Sequence, residues 1–172
     1  MRGWIILALG VSLLFTGCMG APQAGEEDQY SSMVGYVMDV DSAGRILVVD
    51  PVAQDFSDTG GIEEFYNAIW FSNAPQEVEP GNKVEVWFDI VAESYPGQSE
   101  ALDIKIIQEE VPEGADLSPD QALNRLLTQE EVNRLVVVKS IRYQKEQDQW
   151  MIQLKEILFE DSEVLEYTVE DK

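Results

Sequence analysis

The chain has 172 residues, of which 45% are hydrophobic and 26% charged, a composition typical of a globular protein. Its 33 acidic and 11 basic side chains give a net charge of -22, which disfavours nucleic-acid binding, because affinity for phosphate backbones comes from clustered Lys and Arg. There is no His and Cys18 is the only cysteine, so His-based triads, the commonest zinc ligand sets and disulfides within the chain are excluded.

The N-terminus has the pattern of a bacterial lipoprotein signal peptide. A short basic start precedes an apolar stretch at residues 4–15, and the small residues Thr16 and Gly17 stand in front of Cys18. The stretch is too short for a spanning helix, which needs about 20 apolar residues. The resemblance implies removal of residues 1–17 and a diacylglycerol on the Cys18 sulfur. We therefore expect lipid anchoring to the extracytoplasmic face of the cell membrane. The alternative is that Cys18 is an ordinary residue of an uncleaved or plain secretory leader.

Two folded units are predicted after the anchor. Residues 18–32 are rich in Gly, Ala, Gln and acids and show no apolar periodicity, so they are expected to form a flexible tether. Residues 33–107 form the first unit and residues 118–172 the second. Residues 108–117 between them contain Pro, Gly and a pair of glutamates, a composition that suits a linker.

Residues 33–107 are predicted to form a small β-barrel. Apolar and polar residues alternate along 33–40 and 83–92, and a turn at 41–44 leads into a second strand at 45–50. Further strands are expected at 66–72 and at about 102–106, after turns at 79–82 and 95–98. Five short strands with one long connection favour a five-stranded Greek-key barrel of the OB type, with a flat open sheet as the alternative.

Several segments of this unit resemble a known family. They are GYV at 35–37, GRILVV at 44–49, AIWFS at 68–72, VEVWF at 84–88 and, most specific, AESYPGQ at 92–98. Over about residues 33–107 the chain resembles domain of unknown function 3221, a family of uncharacterised lipoproteins from the envelope of Gram-positive bacteria. The resemblance implies a cell-envelope location and transfers no activity.

Residues 118–172 are predicted to form a small α+β unit. Ser118-Pro119-Asp120-Gln121 is a helix start, with an N-cap, Pro at the first helical position and Gln three residues after the cap. A similar pattern at 128–131 suggests a break into a second short helix near Val132 and Leu135. Runs at 136–143, 150–158 and 164–169 predict a three-stranded antiparallel meander. The whole chain is thus expected to be mainly β, and α+β overall.

Three aspartates around the first hairpin form a candidate calcium site. Asp39, Asp41 and Asp50, with Gly44 between them, match the first, third, twelfth and sixth positions of an EF-hand loop. Ala43 stands where a ligand oxygen is expected, and the flanking segments read as strands. The favoured interpretation is therefore a hairpin turn, in which Asp, Ser and Gly are common, and no cofactor is expected.

The turn at residues 93–98 is the leading candidate for partner binding. Glu93, Ser94, Tyr95 and Gln98 surround a Pro-Gly pair, and a tyrosine with polar groups on a rigid turn makes contacts at low entropic cost. The alternative is a packed turn in which Tyr95 covers one end of the barrel.

Trp70 and Trp87 are a second candidate surface. We expect them on neighbouring strands, out of phase with the inward aliphatic residues, where together they would form an outer aromatic patch. The alternative is that they pack beneath a loop or against the second unit.

Catalytic carboxylates cannot be singled out among 33 acids. A glycoside hydrolase needs a placed pair, and Glu63, Glu64, Asp89 and Glu93 have no feature that separates them from solvated acids. We therefore expect a non-catalytic binding or accessory lipoprotein of the cell envelope, with an envelope protein as partner. A divalent-cation-binding protein is the alternative, and an enzyme acting on cell-wall glycans ranks third.

Overall fold

The structure, a computed structural model, describes residues 30–129, 132, 135–159 and 162–172. This part of the chain is mainly β, as the sequence predicted. The signal peptide, Cys18 and the tether up to residue 29 lie outside the described residues, and so does most of the segment expected to form the second short helix. In the described part, no helix has the length and apolar character that crossing a bilayer requires.

Six strands make up the larger sheet: β1 Ser31–Val40, β2 Ile46–Val49, β3 Ala68–Ser72, β4 Lys83–Phe88, β5 Gly97–Glu100 and β6 Asp103–Ile106. Their order is β5-β3-β2-β1-β4-β6. All neighbours are antiparallel except β3 and β5. β1 begins at Ser31, opposite Phe88, so strand pairing includes the last two residues of the expected tether.

The two edge strands of this sheet belong to one continuous segment. The Ala101 N–H donates to the Ser72 carbonyl at the end of β3 (3.0 Å), and the Leu102 N–H donates to the Trp87 carbonyl on β4 (2.8 Å). The chain therefore passes from one edge to the other within two residues. The expected five-stranded barrel of the OB type differs from the observed sheet, which has six strands and is not closed. The additional strand arises because the segment after the turn at 95–98 is divided in two, with Gly97–Glu100 paired to β3 and Asp103–Ile106 paired to β4.

The C-terminal residues form α1 Pro119–Gln129 and a second sheet of β7 Val136–Gln144, β8 Gln149–Glu156 and β9 Val164–Glu170. The sheet is the predicted antiparallel meander, in the order β7-β8-β9. The helix begins at Pro119, as the sequence predicted, and the Gln121 side-chain oxygen accepts the Ser118 N–H at 2.9 Å. This bond is the Gln half of a capping box.

Both faces of the larger sheet are buried. One face closes on its own core, which includes Val37, Val48 and Phe71. On the opposite face, the alternate residues of these strands pack against α1 and the smaller sheet in a shared core. This shared core includes Tyr36, Met38, Leu47 and Val49 from the larger sheet, Leu123 from α1, and Val137, Trp150, Ile152 and Leu154 from the smaller sheet. Strand side chains alternate between faces, so one run of buried residues, such as β2, contributes to both cores.

A buried carboxylate fastens the C-terminus to the linker. The Asp171 side chain is fully buried and accepts the N–H groups of Asp116 (2.6 Å) and Leu117 (3.1 Å) and the indole N–H of Trp150 (2.7 Å). Burial acts to raise the pKa of Asp171, but these hydrogen bonds outweigh it and hold the pKa below its ordinary value. The linker is therefore fixed to the end of the second sheet by the Asp171 carboxylate, which accepts three hydrogen bonds.

Candidate functional site

A cleft of about 420 Å³ opens where β1 begins. Its apolar lining includes Met33 from β1, Ile69 from β3 and Phe88 from β4. Polar lining comes from segments next to the strands, with Asp50 after β2, Gln54 in the following loop and Asn67 before β3. An apolar concavity with a few convergent polar groups is the usual form of a binding site.

The cleft exists because β2 is short. Asp50 follows its last residue, and the Asp50 Oδ1 accepts the Val52 N–H at 2.8 Å, which turns the chain at Pro51. The Asp50 N–H still donates to the Asn67 carbonyl at 2.9 Å. Partial burial raises the pKa of Asp50, and the single hydrogen bond from Val52 only partly opposes that effect.

The turn predicted as a partner-binding loop forms one wall of this cleft. Ser94 and Tyr95 line it; the Ser94 hydroxyl donates to the Pro96 carbonyl at 2.8 Å, and the Tyr95 hydroxyl donates to the Tyr66 carbonyl at 2.9 Å. Burial raises the pKa of Tyr95. Gly97, at the base of the wall, leaves no room for a side chain, because a Cβ there would lie 2.8 Å from the Val91 side chain.

An aromatic row supports that wall. The Phe65 ring lies 5.6 Å from the Tyr95 ring and 5.6 Å from the Phe56 ring, measured between centroids. Phe65 is held in place by two backbone hydrogen bonds with Gln54, of 2.7 and 2.9 Å. Sequence reasoning did not single out Gln54, Phe65 or Asn67; the available signal was an Asp-Pro pair directly after a strand of four apolar residues.

The remaining candidates for partner binding are not among the residues that line the cleft. Gln98 is in β5, bridged to Ala92, and Glu93 is exposed on the turn. The expectation that Trp70 and Trp87 lie on neighbouring strands is wrong, because β2 and β1 separate β3 from β4. Trp70 packs at the shared core with the Arg45 guanidinium 5.4 Å from its ring centroid.

The three aspartates of the candidate calcium site are not gathered. The Asp41 carboxylate accepts the N–H groups of Ala43 and Arg45 (both 2.9 Å) and pairs with the Arg45 side chain at 2.8 Å, and these bonds lower its pKa. Asp39 is opposite Leu47, three residues before Asp50, so these two aspartates are about 10 Å apart along the hairpin. Among the described residues, no three or more acidic or other ligating side chains are placed to hold a metal ion.

Glu64, one of the acids considered for catalysis, lies in the loop before β3 and connects that loop with the smaller sheet, at the junction between the two sheets. Its carboxylate pairs with Lys155 on β8 and with Lys139 on β7 at 3.0 Å, and it accepts the Tyr66 hydroxyl. The Lys139 ammonium also lies 5.0 Å from the Tyr66 ring centroid. Hydrogen bonds from Lys155, Tyr66 and Lys139 lower the pKa of Glu64 to about 2, so it is ionised and structurally engaged at neutral pH.

Comparison with known proteins confirms the family resemblance. Residues 34–108 match the family model described as "Protein of unknown function (DUF3221)". The chain is 28% identical over 102 residues to the uncharacterized protein YobA of Bacillus subtilis strain 168, in an alignment that covers 54% of this chain and 85% of that protein.

Two solved structures of Bacillus subtilis YobA are also similar to the chain. The crystal structure is 23% identical, with a TM-score of 0.35, and the match covers 48% of this chain and 100% of that one. The NMR solution structure is 20% identical, with a TM-score of 0.34, and covers 51% of this chain and 91% of that one.

Proposed function

We propose that this chain, whose residues 34–108 match a family of unknown function, is an exported, lipid-anchored binding module of the cell envelope. The observation that carries the proposal is the cleft at the start of β1. It combines an apolar lining with Asp50, Gln54 and Asn67 and is bounded by a turn whose side chains are held by hydrogen bonds. Such a site can bind a partner with little loss of conformational freedom, because its walls are already ordered.

The anchoring half of the proposal rests on the sequence. The basic start, the apolar stretch and Cys18 predict export and lipid attachment, and acyl chains contribute about 0.8 kcal/mol per buried methylene to membrane binding. Cys18→Ser should move the protein from the membrane fraction to the soluble fraction. Mass spectrometry of the mature wild-type N-terminus should find diacylglycerol on Cys18; an unmodified Cys18 would contradict the anchor.

Binding is favoured over catalysis by the chemistry of the lining. Asp50 is the one carboxylate among the described lining residues, whereas a glycoside hydrolase uses two. The Tyr95 hydroxyl is already bound to the Tyr66 carbonyl. Cation binding gains no support either, since Asp39, Asp41 and Asp50 are spread along a hairpin.

We also propose that the larger sheet is a variant of the OB-type Greek-key barrel. In support, β3 pairs in parallel with β5, β1 pairs with both β2 and β4, and a single segment, residues 97–106, reaches both edges of the ladder. An experimental structure in which residues 97–106 pair with only one of β3 and β4 would contradict this assignment.

Site-specific photo-crosslinking in living cells tests the binding function. A photoreactive amino acid at Gln54, on the cleft, should give a discrete crosslinked product, and the same residue at Gln129, at the end of α1, should not. Tyr95→Ala should reduce the yield at least threefold while the thermal unfolding curve stays cooperative. Equal crosslinking from both positions, or none from position 54, would contradict a partner in the cleft.

A further inference from the structure

We propose that the cleft binds an extended polypeptide segment, which adds as a strand to the free edge of β1 and places a basic side chain against Asp50. This inference rests on the proposed binding function of the cleft and specifies the chemistry of its partner. Addition of a strand to a sheet edge gives affinity through backbone hydrogen bonds and specificity through alternate side chains.

The register of β1 shows which backbone groups are free. The Val37 N–H donates to the Asn82 carbonyl and the Val37 carbonyl accepts the Gly81 N–H, so Val37 faces the β4 side. Backbone groups alternate in direction along a strand, so Met33 and Gly35 also face β4, while Ser32 and Val34 face the opposite side.

On the side of β1 that faces away from β4, β2 ends at Val49 and does not extend as far as Val34. β2 pairs with β1 from Tyr36 onward, and the next partner in register for Val34 would be Pro51, which has no N–H and lies in the Asp50 turn. Among the described residues, no backbone or side-chain group hydrogen-bonds the N–H or carbonyl of Ser32 or Val34 on this side. Both residues are exposed and line the cleft.

The position of this edge limits what can reach it. Open strand edges promote association with any other sheet, and proteins usually shield them. Here the free stretch spans only Ser31 to Gly35, and it shares the cleft with Tyr95 and with the Gln54–Phe65 bridge. A single extended segment of a few residues fits this arrangement better than the edge of a folded sheet.

Charge selects the side chains of the added strand. Asp50 is the one charged residue among the described lining, and in the described part of the chain its Oδ2 has no hydrogen-bond partner. A lysine or arginine of the partner would pair with this oxygen, while neighbouring apolar side chains would pack on Met33 and Ile69. The chain itself is a poor occupant, because its net charge is -22 and the tether before Tyr30 carries Glu26, Glu27 and Asp28.

Defined peptides test this inference on the full chain in neutral detergent micelles. The probe is a fluorescein-labelled peptide of three valines alternating with three lysines, and binding is followed by fluorescence polarisation at 0.3 M salt, about 5 Å of Debye length, to screen general attraction to the acidic surface. The first control peptide has every backbone nitrogen methylated. The second has glutamates in place of the lysines. We expect at least tenfold weaker binding for each control.

Variants of the protein separate the backbone from the side chains. Val34→Pro removes the N–H that would bond to the peptide, and proline is tolerated at an edge position whose N–H is unpaired. Val34→Ala is the matched control, because it shortens the same side chain and keeps the N–H. We expect a tenfold loss of affinity for Val34→Pro, less than threefold for Val34→Ala, and for Asp50→Asn a reduced preference for the lysine peptide over the glutamate peptide.

The possible outcomes distinguish a failure of this inference from a failure of the proposed function. Equal affinity of the methylated and unmethylated peptides for the wild-type chain overturns strand addition, and this holds even if Val34→Pro fails to fold. Equal affinity of folded Val34→Pro and Val34→Ala overturns it as well. Failure of strand addition together with crosslinking from position 54 would leave a binding cleft that recognises another ligand, whereas no crosslinking from position 54 rejects the binding cleft itself.

Discussion

Asp171 is wholly buried and Asp50 partly buried, and the pKa values of these two carboxylates shift in opposite directions. Burial acts to raise the pKa of both. Asp171 receives three N–H donors and its pKa falls below the ordinary value, whereas Asp50 receives one and its pKa rises. The number of donors, more than the depth of burial, therefore separates a carboxylate that fastens the fold from one left available at the cleft.

The largest expected effect comes from removing the Asp171 charge. Asp171→Asn presents an amide where three N–H donors now converge, so one donor faces another in a buried place, and we expect a loss of about 3 kcal/mol in the free energy of unfolding. This corresponds to a decrease in melting temperature of roughly 6–12 °C. Urea unfolding followed by tryptophan fluorescence measures the change. Asp58→Asn, an exposed aspartate, is the control and should change stability by less than about 0.5 kcal/mol.

The pH dependence of Asp171 has a defined sign. Its pKa is lower in the folded than in the unfolded chain, so its stabilising contribution is present above the ordinary value of 3.8 and is lost as pH falls through the folded value. The stability difference between wild type and Asp171→Asn should thus shrink on acidification below about pH 4. A difference that stays constant from pH 7 to pH 3 would show that folding does not shift the pKa of Asp171.

A smaller effect is expected at the junction between the two sheets. Glu64→Gln keeps the shape of the side chain but removes its charge beside Lys139 and Lys155, and because Glu64 is partly exposed we expect a loss of about 1 kcal/mol. The contribution of Glu64 is complete above its ordinary pKa of 4.5 and is lost as pH falls toward the folded value of about 2. Melting temperatures of the two proteins should therefore converge between pH 5 and pH 2.

The neighbouring residue supplies the control for Glu64. Glu63→Gln removes the same charge one position earlier, outside the junction, and should leave the melting temperature within about 1 °C of wild type. Equal effects of Glu63→Gln and Glu64→Gln would mean that general charge, and not the contact between the sheets, determines the result.

The smallest change, of opposite sign, is expected at the cleft. Because burial raises the pKa of Asp50, its ionised form destabilises the fold above the ordinary pKa of 3.8, so Asp50→Asn should be neutral or stabilising at pH 7, by about 0.5 kcal/mol or less. The asparagine oxygen can still accept the Val52 N–H. Thermal unfolding at pH 7 and pH 3.5 measures this change. A clear destabilisation at pH 7 would remove the contrast with Asp171.

Local signals in the sequence predicted most of the elements. Alternating apolar residues located β1, β4 and the C-terminal meander, and Ser118-Pro119-Asp120-Gln121 located the start of α1, because these patterns depend on contacts within a few residues. β5 was not found, since Gly97–Glu100 is mostly polar and becomes a strand only through parallel pairing with the distant β3. Ser94 and Tyr95 were recognised as candidates for partner binding and Asp50 as a candidate metal ligand, but the other lining residues of the cleft were not singled out.

The sequence by itself determined the mainly β character of the chain, its acidic surface and the family that residues 34–108 match. Only the tertiary structure decided that the two sheets share a core, that the buried Asp171 carboxylate joins the C-terminus to the linker, and that Asp50 lies at a cleft beside an unpaired stretch of β1. The physical reason is distance along the chain. Asp171 meets Asp116, and Tyr95 meets Tyr66, across separations at which no local propensity acts, so only packing of the whole fold brings these groups together.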